Sequence, residues 1–299
     1  MRFGVDVGGT KIEAIVLEGA AVRARCRVPS PRDDYEATLH AIADVVARME
    51  REVGGQGRVG IGMPGALSPA SGDVKNSNSA WLNGRPLAED LGRLIPRPLR
   101  FANDANCFAL SEAVDGAGAG ARVVFGVILG TGTGGGVVVD RRVWGGRNAI
   151  AGEWGHNPLP RAAADELPGP PCYCGQTGCI ETFLSGSGLA RDHARYTGQR
   201  AEPAEIAARA AEGDRSALST MARYEDRLAR ALSSVLNLLD PDVVVLGGGL
   251  SNIARLYENL PPLLERYAFS DRVDTPVVPP VHGDSSGVRG AAWLWDDEG

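Results

Sequence analysis

The strongest constraint on the fold is a strand–turn–strand pattern that occurs once in each half of the chain. The segments FGVDVGGT (Phe3–Thr10) and FGVILGTG (Phe125–Gly132) both carry an apolar run into a turn of glycine and threonine. Each turn is followed by a second apolar run, IEAIVL or GGGVVVD, so each segment predicts a β-hairpin. The recurrence favours two related α/β domains, although glycine-rich turns after strands are common enough to recur by chance.

Helices and further strands alternate between and after these hairpins, which is typical of an α/β protein. Apolar residues at helical spacing predict a helix that ends at Gly54-Gly55, with Asp33 and Glu36 spaced as a capping box at its start. A second long helix ends at Asp240-Pro241. Two other segments, VGIGMPG (Val59–Gly65) and VVVLGGG (Val243–Gly249), predict strands. LRFANDAN (Leu99–Asn106) predicts a short strand whose end opens a helix, and SSGVRGAAWLW (Ser285–Trp295) predicts a capped helix with an apolar face. The small, flexible DGAGAGA (Asp115–Ala121) is the predicted hinge between the halves.

Charge and hydropathy exclude several classes of partner. The 299 residues carry a formal net charge of −6, which provides no basic surface for nucleic acid. The chain enters a strand without a leader segment, and no apolar run approaches the roughly 18 residues of a membrane helix. We therefore expect a cytoplasmic protein that binds neither nucleic acid nor a membrane. In a reducing compartment, the clustered Cys172, Cys174 and Cys179 are better interpreted as metal ligands than as disulfides.

Both hairpin turns have the composition of a phosphate-binding loop. Glycines allow backbone N–H groups to approach a phosphate, and a threonine hydroxyl can donate to its oxygens. The first turn offers Asp6, Gly8, Gly9, Thr10 and Lys11, and Asp6 could hold Mg²⁺ directly or through water. The second turn offers Gly130, Thr131, Gly132, Thr133 and Gly134. Two such turns suit a nucleotide whose phosphates lie in a cleft between the domains, whereas either one alone is equally compatible with a plain hairpin turn.

A third glycine cluster, Gly247-Gly248-Gly249, follows a buried strand. The chain has no P-loop, because GxxxxGK[ST] does not occur in it. A Rossmann site would need a glycine at position 252, where this chain has Asn252. Gly247 and Gly248 are therefore interpreted as a flat surface beneath a nucleoside, and a plain strand-to-helix turn is the alternative.

Asn103-Asp104 lies at a predicted junction between a strand and a helix, where α/β folds often display functional carboxylates. A carboxylate there can accept the proton of a hydroxyl group that attacks a γ-phosphorus atom. The alternative is an aspartate that only caps the following helix. The dipeptide alone does not separate the two interpretations.

One histidine and three cysteines form a candidate metal set. GEWGHNPLP supplies Glu153 and His156, and PCYCGQTGCIET supplies Cys172, Cys174, Cys179 and Glu181. A His/Cys₃ set closes a tetrahedral zinc site without an open position, so the zinc would be structural. It would fix the loop that carries the two glutamates.

Taken together, these segments resemble the ROK family (repressor, open reading frame, kinase). DVGGTK, GIGMPG, NDAN, GTGTGGG, EWGH, CYCGQTGCIE and DPDVVVLGGG follow the order of the family over nearly the whole chain. The combination of EWGH with CxCGxxGCxE is specific to it. Other segments, among them KNSNSAWLNG and HGDSSGVRGAAWLW, resemble bacterial fructokinases of the manno(fructo)kinase kind.

The resemblance implies an α/β, actin-like or hexokinase-type (ribonuclease H-like) fold of two domains with an interdomain cleft. Residues 1–117 would form the first domain, joined by a C-terminal helix at about 286–299, and residues 118–285 a second domain that carries the zinc loop. It further implies an ATP-dependent hexose kinase that uses Mg²⁺ and a structural Zn²⁺, with fructose as the favoured substrate and a homodimer as the expected assembly.

Residue by residue, Asp104 matches the catalytic base of the family. The sugar ligands of the family match Asn103, Glu153, His156 and Glu181. The zinc ligands of the family match His156, Cys172, Cys174 and Cys179. One ring nitrogen of His156 would then bind zinc and the other would face a sugar hydroxyl. Gly65 and Asn78 lie where the first domain of the family touches the sugar.

Three alternatives remain open at this point. A glucokinase or N-acetylglucosamine kinase would share the mechanism and differ only in the sugar. A sugar sensor without catalysis is disfavoured by the intact base and by the lack of room for a DNA-binding segment before Asp6. A zinc hydrolase would need an open metal position, which a His/Cys₃ set does not provide.

Overall fold

The computed structural model describes residues 1–295. The strands are β1 (Arg2–Val7), β2 (Lys11–Glu18), β3 (Ala21–Pro29), β4 (Arg58–Met63), β5 (Ala66–Leu67), β6 (Val74–Lys75), β7 (Leu99–Asn103), β8 (Val123–Leu129), β9 (Thr133–Val139), β10 (Arg142–Val143), β11 (Val243–Gly247) and β12 (Val277–Val278). The α-helices are α1 (Tyr35–Val53), α2 (Leu87–Leu94), α3 (Asp104–Asp115), α4 (Ile180–Leu184), α5 (Gly186–Thr197), α6 (Pro203–Ala211), α7 (Arg215–Leu239), α8 (Arg255–Tyr267) and α9 (Ser286–Trp293). The C-terminal helix was expected to about residue 299, and positions 296–299 of that expectation lie outside the described residues.

Two five-stranded sheets share one strand order. The first has the order β3-β2-β1-β4-β7 and the second β10-β9-β8-β11-β12. In each sheet, two neighbouring strands are joined by one of the glycine–threonine turns, and the first of them also pairs in parallel with a later strand. The prediction of a mixed α/β fold with a strand–turn–strand unit in each half is confirmed.

Parallel pairing brings candidate site residues to one edge of each sheet. Strands β1, β4 and β7 run in parallel, with Asp6 opposite Gly62 and Met63 opposite Asn103. Strands β8 and β11 are also parallel, with Ile128 opposite Gly247. Because parallel strands end at the same edge of a sheet, polar residues that follow different strands become neighbours there.

Helix α1 covers one face of the first sheet. Its buried residues include Leu39, Ile42 and Met49, as the helical spacing predicts. The capping box expected from Asp33 and Glu36 is wrong, because the N-cap is Asp34, whose side chain accepts a hydrogen bond of 2.9 Å from the backbone N–H of Ala37. Gly54 ends the helix at a φ of 67°, as the sequence predicts.

Helix α9 packs against β1, β4 and α3 at positions occupied by glycine. A Cβ atom added at Gly4 would lie 2.1 Å from the carbonyl oxygen of Val288, and one added at Gly290 would lie 1.6 Å from that of Cys107. Both distances are far below van der Waals contact. The close backbone approach of this helix therefore requires glycine on both sides of the contact.

A buried carboxylate gathers the segments around the C-terminal end of α3. Glu112 is fully buried and accepts hydrogen bonds from the backbone N–H of Ala117 (2.9 Å) and Val281 (3.0 Å) and from the Ser286 hydroxyl (2.8 Å). His282 Nε2 lies 3.0 Å from an oxygen of Asp115. These contacts tie the start of α9 to the end of α3.

The chain divides into two compact units. The first comprises Met1–Gly120, Gly136–Gly152 and the segment that begins at Val281, and the second comprises Ala121–Gly135 and Glu153–Pro280. Within residues 1–295, none of the helices has both the length and the apolar character that crossing a membrane would demand.

Gly290→Ala is expected to lower the free energy of unfolding by roughly 1–3 kcal/mol, because the added methyl group overlaps the backbone of α3. The matched control is Gly92→Ala in α2, where an added Cβ meets nothing within 4 Å and helix propensity should raise stability by about 0.5–1 kcal/mol. Urea unfolding followed by circular dichroism measures both changes. Equal effects of the two substitutions would contradict the packing argument.

Candidate functional site

Asp6 lies near the end of β1 in an enclosed position. A Cβ atom at Gly62 would lie 3.4 Å from one of its carboxylate oxygens, and one at Gly287 would lie 3.2 Å from the other. Burial, followed by the charges of Asp104 and Glu13, raises the pKa of Asp6 to about 7, and Lys11 opposes this shift. A carboxylate that is costly to ionise alone favours a bound cation, so Asp6 fits a site for Mg²⁺.

The neighbouring charge of Glu13 was not predicted from the sequence. Its side chain is 1% exposed and accepts hydrogen bonds from Arg25 (2.6 Å) and Arg27 (2.7 Å) of the adjacent strand β3. The Lys11 ammonium lies 3.7 Å from the same carboxylate. The sequence feature that could have indicated this ion pair is a single acid inside the apolar run IEAIVL, followed by two arginines on the next strand.

The first glycine–threonine turn is a tight, exposed connection between β1 and β2. The backbone N–H of Gly8 donates to the carbonyl oxygen of Lys11 at 2.9 Å, which closes the turn. Gly9 and Thr10 are exposed, and the Ser79 hydroxyl oxygen lies 3.7 Å from the Cβ position at Gly9. The exposed N–H and hydroxyl groups are available to a phosphate.

Four more candidates lie at the same edge of the first sheet. Asn103 caps α3 by accepting from the backbone N–H of Ala105 (2.9 Å), and its amide donates to the carbonyl oxygen of Gly65 (3.2 Å). Asp104 is exposed in the first turn of α3, and one of its oxygens also accepts from Ala105 at 2.9 Å. A Cβ at Gly65 would lie 2.7 Å from the backbone nitrogen of Ser77, so Gly65 lies against the segment that leads to Asn78.

In the second unit, Thr133 joins two loops that carry candidate ligands. Its backbone N–H donates to Glu181 at 2.9 Å, and a Cβ at Gly155 would lie 2.0 Å from its carbonyl oxygen. The EWGH segment and the start of α4 therefore both pack against the second glycine–threonine turn.

Two N–H groups of the second turn are engaged within the protein. Thr133 N–H binds Glu181, and Gly130 N–H donates to the carbonyl oxygen of Gly132 at 3.0 Å. Thr131 is exposed, and the buried Thr133 hydroxyl has no hydrogen-bond partner among the described residues. Gly248, at a φ of 80°, packs beside this turn, because a Cβ there would lie 2.5 Å from the carbonyl oxygen of Leu129. Gly247 precedes it as the last residue of β11.

Short backbone pairings bring the four metal-ligand candidates together. Pro158 pairs with Cys179 in an antiparallel bridge, and the backbone N–H of Ile180 donates to the carbonyl oxygen of Asn157 at 2.9 Å. A second bridge, between Pro171 and Thr177, folds the CYCGQTGC segment back on itself. His156 and the three cysteines thereby meet although they are distant in sequence.

The spacing of these atoms fits a tetrahedral zinc site. The four ligand atoms lie within 4.8 Å of one another. His156 Nδ1 is 3.5 Å from Cys172 Sγ, and Cys174 Sγ is 3.6 Å from Cys179 Sγ. Zn–S bonds of about 2.3 Å and Zn–N bonds of about 2.1 Å give tetrahedral edges of roughly 3.5–3.8 Å, which match these distances.

The thiols of this set have unusual proton affinities. Burial, together with hydrogen bonds that the Cys179 thiol donates to Cys174 and Cys172, raises the pKa of Cys179 to about 12. A bound cation would reverse this effect, because metal coordination deprotonates a thiol. The donor set and its geometry both fit structural zinc.

An ion-pair network supports the segment between His156 and Cys172. Glu166 is buried and accepts hydrogen bonds from Arg227 (2.7 Å) and Arg230 (2.8 Å) of α7. Burial opposes its charge, but these two arginines lower the pKa of Glu166 to about 2. Arg230 also donates to the carbonyl oxygen of Arg161 at 3.0 Å. No sequence pattern indicates this network, because its members lie far apart along the chain.

The other ring nitrogen of His156, which the family resemblance directs toward a sugar hydroxyl, faces Tyr173 within the protein. His156 Nε2 lies 3.0 Å from the Tyr173 hydroxyl, and the two rings pack edge-on with centroids 5.1 Å apart. Glu153 is half-buried and directly precedes the short 3-10 turn Trp154–His156. Each unit thus brings its own candidates together: the first gathers those near Asp6 and Asp104, and the second those near Thr133 and His156.

The chain is similar over nearly its whole length to proteins of one family. The family model described as "ROK family" matches residues 2–298. An N-acetyl-D-glucosamine kinase of Vibrio vulnificus (strain YJ016) is 41% identical over 299 residues, which cover 98% of this chain and 99% of that protein. The crystal structure of a ROK hexokinase from Thermus thermophilus is 33% identical, with a TM-score of 0.86 and coverage of 98% and 97%. A ROK family glucokinase from Streptomyces griseus, solved with glucose and AMPPNP, is 28% identical, with a TM-score of 0.79 and coverage of 98% of both chains.

The zinc interpretation predicts that Cys174→Ser lowers both the metal content and the thermal stability. Cys174 is exposed, so its replacement disturbs little else, and a site that has lost one of four ligands binds zinc less tightly. Wild type is expected to carry roughly one zinc ion per chain, measured by elemental analysis. The control Cys26→Ser, outside the cluster, should retain the metal. The assignment would be contradicted if wild-type protein from zinc-supplemented cells contained no zinc after purification.

The raised pKa of Asp6 predicts an unusual dependence of stability on pH. Between the ordinary value of 3.8 and about 7, folded Asp6 holds a proton that the unfolded chain releases. Raising the pH through this window therefore destabilises the fold, and no further change is expected above it. The measurement is the unfolding free energy of wild type minus that of Asp6→Asn, without nucleotide or Mg²⁺. A difference that increases with pH would show instead that Asp6 is stabilised as a carboxylate.

Proposed function

The chain belongs to the ROK family as a sugar kinase, and we propose that it transfers the γ-phosphoryl group of Mg·ATP to a hydroxyl group of N-acetylglucosamine. The support for this sugar is sequence similarity over the whole length. The Vibrio vulnificus N-acetyl-D-glucosamine kinase is 41% identical, against 33% for the ROK hexokinase and 28% for the ROK glucokinase. None of these three is a fructokinase, so the fructose preference expected from the sequence is not supported and N-acetylglucosamine takes its place.

The observation that carries the catalytic proposal is the position of Asp104. Its carboxylate is exposed at the carboxyl edge of the first sheet, and the backbone N–H of Ala105 orients one of its oxygens at 2.9 Å. A carboxylate in this position can accept the proton of the sugar hydroxyl as that hydroxyl attacks the γ-phosphorus. Because Asp6 is close enough for Asp104 to raise its pKa, the base and the proposed magnesium residue belong to one group of charges.

The nucleotide would be held mainly by backbone groups. In the first unit, the exposed Gly9 and Thr10 can supply N–H and hydroxyl donors for phosphate oxygens. In the second unit, the turn from Gly130 to Gly134 offers the exposed Thr131 and the unpartnered Thr133 hydroxyl. Mg²⁺ near Asp6 would neutralise the charge that develops on the phosphates. Phosphoryl transfer depends mostly on such positioning and charge neutralisation, so the reaction needs few further catalytic groups.

Each unit, taken by itself, offers groups suited to binding sugar hydroxyls. In the first unit, Asn103 is oriented by its contacts with Ala105 and Gly65, and Asn78 is exposed beside the Ser77 segment. In the second unit, Glu181 is fixed by Thr133 N–H and Glu153 precedes the histidine turn. Carboxylates accept hydrogen bonds from sugar hydroxyls, so both glutamates are suited to this role.

Asp104→Asn is expected to lower kcat roughly 10²–10⁴-fold, because an amide cannot accept the proton. Sugar binding should persist, because the side-chain shape is kept. The assay is coupled ADP release with Mg·ATP and N-acetylglucosamine, glucose, mannose or fructose. Asp44→Asn, an exposed aspartate on α1, is the matched control and should retain wild-type turnover.

The comparison of the four sugars tests the proposed substrate, and Asp104→Asn tests the proposed base. A preference for glucose, mannose or fructose would overturn the substrate and leave the mechanism intact. Near wild-type turnover by folded Asp104→Asn would overturn the base. Binding of a hexose without ADP release would make the chain a sensor.

A further inference from the structure

The hydroxyl group of Ser79 lies beside the first glycine–threonine turn. Its oxygen is 3.7 Å from the position of a Cβ atom at Gly9. Ser79 precedes the short 3-10 turn Ala80–Leu82, but its side chain forms no capping hydrogen bond with that turn. Among residues 1–295, the hydroxyl has no hydrogen-bond partner, and unlike the Thr133 hydroxyl it is not fully enclosed by protein atoms. It is therefore available to a ligand.

The main chain that carries this hydroxyl is held in one place. The backbone N–H of Ser79 donates to Ser77 Oγ at 3.1 Å. The Asn83 side chain accepts from the N–H of Ser77 at 2.9 Å and donates to its carbonyl oxygen at 2.8 Å. Ser77 and Ser79 are 6% and 3% exposed, whereas Asn78 between them is exposed. Because the segment is already fixed, little side-chain or loop ordering would oppose the binding of a ligand.

Contacts within the first unit link Ser79 to the proposed base. The amide of Asn103, the residue before that base, donates to the carbonyl oxygen of Gly65 at 3.2 Å. A Cβ atom at Gly65 would lie 2.7 Å from the backbone nitrogen of Ser77, whose hydroxyl oxygen holds the N–H of Ser79. Ser79 thus lies between the segment of the base and the phosphate turn. The transferred phosphoryl group has to occupy the same interval, because it passes from the nucleotide to a hydroxyl group next to the base.

A neutral hydroxyl group is well suited to a phosphoryl oxygen. It can donate one hydrogen bond, and the negative charge of the transferred group is spread over three oxygens that accept such bonds. The exposed Gly9 and Thr10 offer donors at the same turn. A hydrogen bond to a charged oxygen is stronger than one between neutral groups, so a fixed serine donor at this position would contribute measurably to transfer.

We propose that the Ser79 hydroxyl donates a hydrogen bond to an oxygen of the γ-phosphoryl group of ATP. This inference rests on the proposed function, since it adds a ligand for the group that the reaction transfers. It does not depend on which hexose accepts that group. Ser79 is a catalytic residue in this account, because it touches the reacting group, whereas Ser77 and Asn83 are positioning residues.

The test is Ser79→Ala, which removes only the hydroxyl. The value of kcat/KM for Mg·ATP is expected to fall roughly 10- to 100-fold, the worth of one hydrogen bond to a charged group. Calorimetry with Mg²⁺ should show a similar loss of affinity for AMPPNP and an unchanged affinity for ADP, which lacks the γ-phosphoryl group. Ser111→Ala is the matched control and should retain wild-type values. The Ser111 hydroxyl is also without a partner among the described residues, but it lies about 10 Å from Asp104 along α3.

Each other outcome for the variant overturns the inference. Unchanged affinity for AMPPNP would show that the hydroxyl does not contact the γ-phosphoryl group. Equal losses for AMPPNP and ADP would make Ser79 a support for the turn, and a loss confined to the hexose would make it a sugar ligand. Failure of the proposed function is recognised separately, in wild type. If wild type binds neither nucleotide, both proposals fall, and if it phosphorylates a hexose other than N-acetylglucosamine, only the substrate changes.

Discussion

The direct approach of α9 and α3 to the first sheet is the constraint on which the chemistry of the first unit depends. Glycines at both sides of the contact allow the backbones to meet, and Gly287 of α9 and Gly62 of β4 consequently close over the carboxylate of Asp6. Partial burial of that carboxylate, followed by the charges of Asp104 and Glu13, raises its pKa to about 7. Larger residues at these glycines would hold the helix away and leave Asp6 solvated, with an ordinary affinity for protons and cations. Packing in this unit therefore determines electrostatics.

The second unit relies on a different device, since its candidate ligands lie on loops. Thr133 holds the turn, the EWGH segment and α4 in contact through one backbone hydrogen bond and one glycine contact. The cysteine loop is supported from the other side by the buried pairs of Glu166 with Arg227 and Arg230. Loops with few apolar contacts need such fixed points, because ligand geometry within about 0.5 Å matters for binding. A metal bound by His156 and the cysteines would add one more fixed point to these loops.

Much of this arrangement could be predicted from the sequence, because it rests on local signals. Alternation of strands and helices, the two hairpins and the His/Cys₃ set all follow from patterns within short windows. What could not be predicted depends on contacts between distant residues. Asp34 rather than Asp33 caps α1, because backbone geometry decides between two adjacent aspartates. The N–H of Thr133 donates to Glu181, 48 residues away. Glu112 accepts from the nearby Ala117 and also from Val281, 169 residues away. No spacing rule marks such pairs.

The choice of sugar is the least local property of all. The groups proposed for phosphoryl transfer are backbone N–H groups and carboxylates, which would serve any hexose equally well, so discrimination has to come from a donor or acceptor that matches one substituent. Such a group must be positioned by contacts between distant segments, in the way that Thr133 contacts both Glu181 and the Gly155 position. Patterns within short windows therefore predict the class of reaction better than they predict the sugar.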